Sequence, residues 1–125
     1  MKIYALLAFL VIINLSVVSC KAQEEKTEVT LVSVEEAKNI LAEEPGAVFL
    51  DVRTPEEFEE GHIEGAVNIN FFDEDFKEQV EALDKEKPVY IYCRSGNRSQ
   101  KAGKILSQMG FEKVYDIGAG YINWD

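Results

Sequence analysis

Tyr90-Ile91-Tyr92-Cys93-Arg94-Ser95-Gly96-Asn97-Arg98-Ser99 decides how the rest of this chain is read. An apolar run enters, stops at a cysteine and gives way to a short turn rich in Arg, Ser and Gly. A helix is predicted to open at about Ser99. That order sets a thiol at the end of a strand and on the floor of a loop whose amides can turn inward. An ordinary thiol, with a pKa of about 8.5, is mostly protonated at neutral pH, and cationic neighbours and a helix N-terminus lower that value. Arg94 and Arg98 flank the sulfur in sequence, and the predicted helix brings roughly half a positive charge. Gly96 permits a positive φ, so that successive N–H groups can form an anion-binding concavity. The stretch reads as a cup for a small anion with a nucleophile, Cys93, at its base.

Outward from the loop, strands alternate with helices. Val29-Thr30-Leu31 is a short strand, and Ser33 with Glu36 is a capping box for a helix with Val34, Ala37, Ile40 and Leu41 on its apolar face. Pro45-Gly46 stops that helix, and Ala47 to Leu50 is a continuous apolar run, as expected of a strand buried on both faces. Thr54-Pro55-Glu56-Glu57 is a second helix start, with a Thr cap and Pro at the first helical position. Ala66 to Ile69 is a further strand, Asp73 is the expected cap of a helix through Phe76, Val80 and Leu83, and Pro88 precedes the strand Val89 to Tyr92. The helix after the loop shows Ala102, Ile105, Leu106 and Met109 on one face and Gly110 as its stop. Val114 to Asp116 is the last strand. This alternation predicts an α/β domain with a mainly parallel sheet, whose ligands bind at the carboxyl ends of the strands. Cys93 lies at such an end.

A chain of 125 residues with 46% hydrophobic and 29% charged residues allows one globular domain. Its net charge of -10 argues against nucleic-acid binding, which needs a basic surface. Anion binding must therefore come from local geometry. The N-terminus differs in kind. Ile3 to Val18 is apolar apart from Asn14 and Ser16, too short to span a bilayer and suited to a secretory h-region. It ends in Leu15-Ser16-Val17-Val18-Ser19-Cys20, which resembles the lipobox of bacterial lipoproteins. The resemblance implies residues 1–19 as a signal peptide, Cys20 as the lipidated residue and an exported domain held at the cell envelope by an N-terminal lipid. Ordinary signal cleavage nearby and an uncleaved anchor are the alternatives, and both also export the domain. Residues 20–28 read as a polar tether and 29–125 as the folded domain.

Tyr92-Cys93-Arg94-Ser95-Gly96-Asn97-Arg98-Ser99 resembles the active-site loop of the rhodanese family of sulfurtransferases. Leu50 to Phe58 with Gly61-His62-Ile63-Glu64-Gly65-Ala66 and Asn68-Ile69 is similar to that family's N-terminal signature, and Gly118-Ala119-Gly120 with Trp124 to its C-terminal segment. The resemblance implies a rhodanese-like five-stranded sheet with helices on both faces. It implies a thiosulfate-type donor, a small anion, whose outer sulfur Cys93 takes up as a persulfide and passes to a thiol or cyanide, the thiol including one carried by a protein. It assigns donor and persulfide binding to Arg94, Ser95, Gly96, Asn97, Arg98 and Ser99, and no cofactor.

Phosphatases and arsenate reductases of related fold carry one more residue between Cys and Arg. Here four residues separate Cys93 from Arg98, which favours sulfur transfer. A persulfide or redox module without turnover stays open. Asp51 and Arg53 are expected to pair with each other, His62 to be structural, and Trp124 to plug the core. No His, Cys or Asp cluster has metal-ligand spacing. Many members of that family continue past the tryptophan with a further short helix, so a curtailed last helix and a site more open to bulky acceptors are expected.

Overall fold

Val89, Ile91 and Cys93 face one side of the central strand and Tyr90 and Tyr92 the other, and this two-residue alternation divides the core. The computed structural model describes residues 27–125. Five strands, β1 (Val29–Leu31), β2 (Val48–Asp51), β3 (Val67–Asn68), β4 (Val89–Tyr92) and β5 (Val114–Asp116), form one sheet in the order β1-β5-β4-β2-β3. Every pairing is parallel. β4 is buried along its whole length, consistent with its uninterrupted apolar sequence.

Helix α1 (Val34–Glu43) packs Ala37, Ile40 and Leu41 against Phe49, Tyr90 and Ile117 on one face. Helices α3 (Phe76–Glu81) and α4 (Asn97–Gln108) pack Phe76, Val80, Ala102 and Leu106 against Leu50, Ile91 and Val114 on the other. Helix α2 (Pro55–Glu60) follows β2. The chain leaves β2 toward β3 and leaves β4 toward β5, so the two connections part in opposite directions between neighbouring strands. The crevice at that switch point is where such sheets bind ligands.

Several local expectations are adjusted. Thr54 and Glu57 form a complete capping box, whereas Ser33 accepts from the Glu36 amide without a returning bond from the Glu36 side chain. Asp73 does not cap α3. Its carboxylate accepts from Asn70 and Gln79, and the helix begins after Asp75 with no side-chain cap. Helix α4 opens at Asn97, two residues before the expected Ser99, because Gly96 takes a left-handed φ of 100° and serves as its N-cap. The segment after Gly120 is one 3₁₀ turn, Tyr121–Asn123. Trp124 is half-buried against the α1 side of the core, with the Lys38 ammonium 5.3 Å from its ring centroid. Thr27, placed in the tether by sequence, bonds through its hydroxyl to Phe111 O and accepts from Ser107. The proposed signal peptide and Cys20 lie outside the described residues.

Candidate active site

Cys93 follows the last residue of β4 and is 1% exposed. The Gly96 amide donates to Sγ at 3.1 Å and the Ser99 hydroxyl stands 3.6 Å from it. Burial pushes the thiol up. The Ser99 amide and hydroxyl, with the Gly96 and Ser95 amides, more than offset that, so the thiol lies below its ordinary value. The predicted activation is present, but its leading sources are the folded backbone and Ser99, and the arginines are not among them.

Two glycines let the loop sit this way. A Cβ on Gly96 would meet Gly118 O at 2.2 Å, and a Cβ on Gly120, at φ 76°, would meet Arg94 O at 2.2 Å. The chain after β5 presses against the loop at these points, where the Tyr121 amide donates to Cys93 O at 2.8 Å and that of Ile122 to Arg94 O at 3.1 Å. Gly118-Ala119-Gly120 is thus a bearing surface for the sulfur loop.

The six loop residues divide. Arg94 lines a cavity of about 440 Å³ with Arg53, Glu57, Glu60, Tyr121 and Ile122. Ser95, Gly96 and Asn97 line a second, of about 400 Å³, on the β5 side. Ser99 is buried at the sulfur. Arg98 turns aside. Its Nη1 and Nη2 reach Glu57 Oε1 and Oε2 at 2.7 and 3.0 Å, and its guanidinium lies 5.6 Å from the Phe72 ring centroid. Of the two arginines that flank the sulfur in sequence, Arg98 therefore has its charge answered by Glu57. Arg98 in turn holds the Glu57 carboxyl down at about 2.

Asp51 and Arg53 pair as expected, through Nε and Nη2 at 2.7–3.1 Å, while Nη2 also donates to Gly61 O at 2.7 Å. The Arg53 guanidinium lies 4.4 Å from the Tyr121 ring centroid and still reaches the cavity wall. His62 stacks on Phe58, with Nδ1 2.8 Å from Phe58 O. Among the described residues no group of three His, Cys, Asp or Glu side chains stands close enough to share a metal ion.

Sequence reasoning missed Glu57, read only as a capping residue, and Asp116. Their signals were present as an acid in a helix's first turn and an acid closing an apolar strand. Neither pattern shows that Glu57 meets Arg98, 41 residues on, or that Asp116 is buried with Oδ1 unpaired.

The rhodanese-like domain model matches residues 33–125. A thiosulfate sulfurtransferase 18 of Arabidopsis thaliana is 36% identical over 118 residues, 85% of each chain. A tRNA uridine(34) hydroxylase of Sodalis glossinidius is 38% identical over 93 residues, covering 71% of this chain and 26% of its own. Among solved structures, a rhodanese-like domain protein from Staphylococcus aureus superposes with a TM-score of 0.68 at 29% identity, covering 77% of this chain and 91% of its own. With its five-stranded parallel sheet, its switch-point cysteine and these matches, the chain belongs to the rhodanese-like family.

Proposed function

We propose that the protein is a thiosulfate-type sulfurtransferase carrying sulfane sulfur on Cys93. The observation that supports this most is the amide-lined seat of Sγ, with Gly96 N at 3.1 Å, at the end of β4 and beside a cavity reached by Arg53 and Arg94. In the first half-reaction the Cys93 thiolate attacks the outer sulfur of thiosulfate. A Cys93–sulfur bond forms, the donor's S–S bond breaks, and sulfite leaves with its electron pair. The amides that hold the thiolate also offer donors to the persulfide. In the second half-reaction cyanide or a thiolate attacks the outer persulfide sulfur and Cys93 leaves as thiolate. No external oxidant or reductant enters either step.

The 1% exposure of Cys93 favours one second reading, a persulfide carrier that unloads only to a fitted partner thiol. The four-residue spacing to Arg98 disfavours the phosphatase and arsenate reductase chemistries. With the lipobox-like ending at Cys20, we place the activity at the cell envelope on an N-terminal lipid.

Intact mass spectrometry after thiosulfate treatment tests the proposal. The protein should gain one sulfur, Cys93→Ala should gain none, and cyanide should discharge the loaded form as thiocyanate. Sulfur retained on addition of cyanide and small thiols would leave only the carrier. Arylphosphate hydrolysis without sulfur uptake would overturn both.

A further inference from the structure

An arginine side chain has five N–H groups to place. In Arg53 the Nε hydrogen is shared between Asp51 Oδ1 and Oδ2 at 3.0 and 3.1 Å, and Nη2 donates to Asp51 Oδ2 and to Gly61 O, each at 2.7 Å. The two hydrogens on Nη1 are left, and no hydrogen bond among the described residues engages them. Asp116 Oδ1 is the one side-chain nitrogen or oxygen among the described residues that is both shut off from solvent and unpaired, so the unpaired Nη1 is not shut off. Arg53 is 4% exposed and lines the cavity of about 440 Å³ beside the sulfur loop. The free edge of its guanidinium therefore opens on that cavity.

That edge is held still. Asp51 and Gly61 O fix the other side of the fork, and the Tyr121 ring centroid lies 4.4 Å from the guanidinium. Tyr121 is itself tied to the sulfur loop, since its amide donates to Cys93 O at 2.8 Å. Arg94 lines the same cavity but is exposed and joins no ion pair among the described residues, so its long side chain is not fixed in this way. Since Asp51 already answers the Arg53 charge, what Nη1 adds is two directed donors, matched to the oxygens of an oxyanion and not to a neutral thiol. Of the acids on the cavity lining, Glu57 is taken up by Arg98, while Glu60 and Asp125 are exposed, where salt screens their repulsion of an anion. We propose that Arg53 is a donor-binding residue of the sulfur-transfer site, its Nη1 edge taking oxygens of the oxyanion end of the sulfur donor and holding that group as it departs as sulfite. The identity of the oxyanion rests on the sulfurtransferase reading; the binding of an oxyanion at Nη1 does not.

Two alkylating agents of similar size separate these questions. Iodoacetate and iodoacetamide attack a thiol alike, but only the first carries a carboxylate, and neither needs sulfur transfer. In the full-length protein their rates at Cys93 are followed at fixed ionic strength by the mass of the Cys93 peptide. Asp51→Asn combined with Arg53→Gln removes both buried charges together, so that neither is left without its partner. The double variant should lower the iodoacetate-to-iodoacetamide ratio by about tenfold, the size of a hydrogen bond to a charged group. It should also raise the thiosulfate concentration for half-maximal sulfur loading by more than it lowers the maximal rate. An unchanged ratio would overturn the proposal, whether or not thiosulfate loads Cys93. A lowered ratio in a protein that thiosulfate does not load would uphold the oxyanion contact and remove the sulfurtransferase reading. If circular dichroism shows that the double variant does not fold, the wild type decides. In ¹⁵N-labelled protein the Arg53 side-chain N–H signals, assigned through bonds, should shift on addition of sodium sulfite. Shifts confined to Arg94, or none, would overturn the proposal.

Discussion

The two strand ends that flank the crevice are built from different materials. At the end of β2, side chains answer side chains: Asp51 is bound by Arg53, and Glu57, in the helix that follows, is bound by Arg98. At the end of β4, the sulfur is answered mainly by backbone amides and one hydroxyl. The difference teaches where each end is vulnerable. A side-chain ion pair fails when one partner is removed. A backbone seat tolerates loss of side chains but not the addition of an atom that moves the backbone.

The largest expected effect tests the β2 end. Asp51 is fully buried and accepts four hydrogen bonds from Arg53, so Asp51→Ala leaves a guanidinium in the core without its counter-charge. Breaking a buried pair in this way costs about 3–5 kcal/mol. Urea unfolding should show that loss, and a cost below about 1 kcal/mol would mean that Gly61 O and the Tyr121 ring already suffice to hold Arg53.

Next comes the β4 end. Gly120→Ala adds one carbon that meets Arg94 O at 2.2 Å in a left-handed backbone. Strain of about 1–3 kcal/mol is expected, together with displacement of the sulfur loop. Sulfur loading of Cys93 should fall at least about tenfold while the folded state persists. Loading at the wild-type rate would show that the glycine contact is not what seats the loop.

The smallest effect concerns Glu57. Its carboxyl, ordinarily at 4.5, is held at about 2 in the folded protein, first by its bond to Arg98. A depressed carboxylate stabilises above its unfolded value, so this contribution is complete above pH 4.5 and is lost as pH falls through about 2. The pair is partly exposed, so Glu57→Gln should cost only about 1 kcal/mol at neutral pH. The difference between wild type and variant should vanish in strong acid. An undiminished difference below pH 2 would show that Glu57 acts through its helix cap and not through Arg98.

Much of the fold was legible because its signals are local. The apolar run at Val89 to Tyr92, the Thr54-Pro55 helix start and the Gly110 stop each declare an element within a few residues. The cysteine's place at a strand's carboxyl end followed from the same alternation. The arginines were read less well. Arg94 and Arg98 look equivalent beside Cys93, yet one lines the cavity and the other is bound to a glutamate 41 residues earlier. The Asp73 cap failed for a similar reason, since Gln79 and Asn70 take up its carboxylate in the folded turn.

By itself, then, the sequence determined the elements, their alternation, the thiol at the end of β4 and the length of the loop behind it. These depend on backbone preference and hydrophobic period, which act over a few residues. The tertiary structure alone decided which charges meet, that Gly120 and Gly118 bear on the loop, and that the Ser99 hydroxyl stands 3.6 Å from the Cys93 sulfur. Those relations depend on distances of a few ångströms between segments far apart in the chain, and only the packing of the sheet and its helices sets such distances.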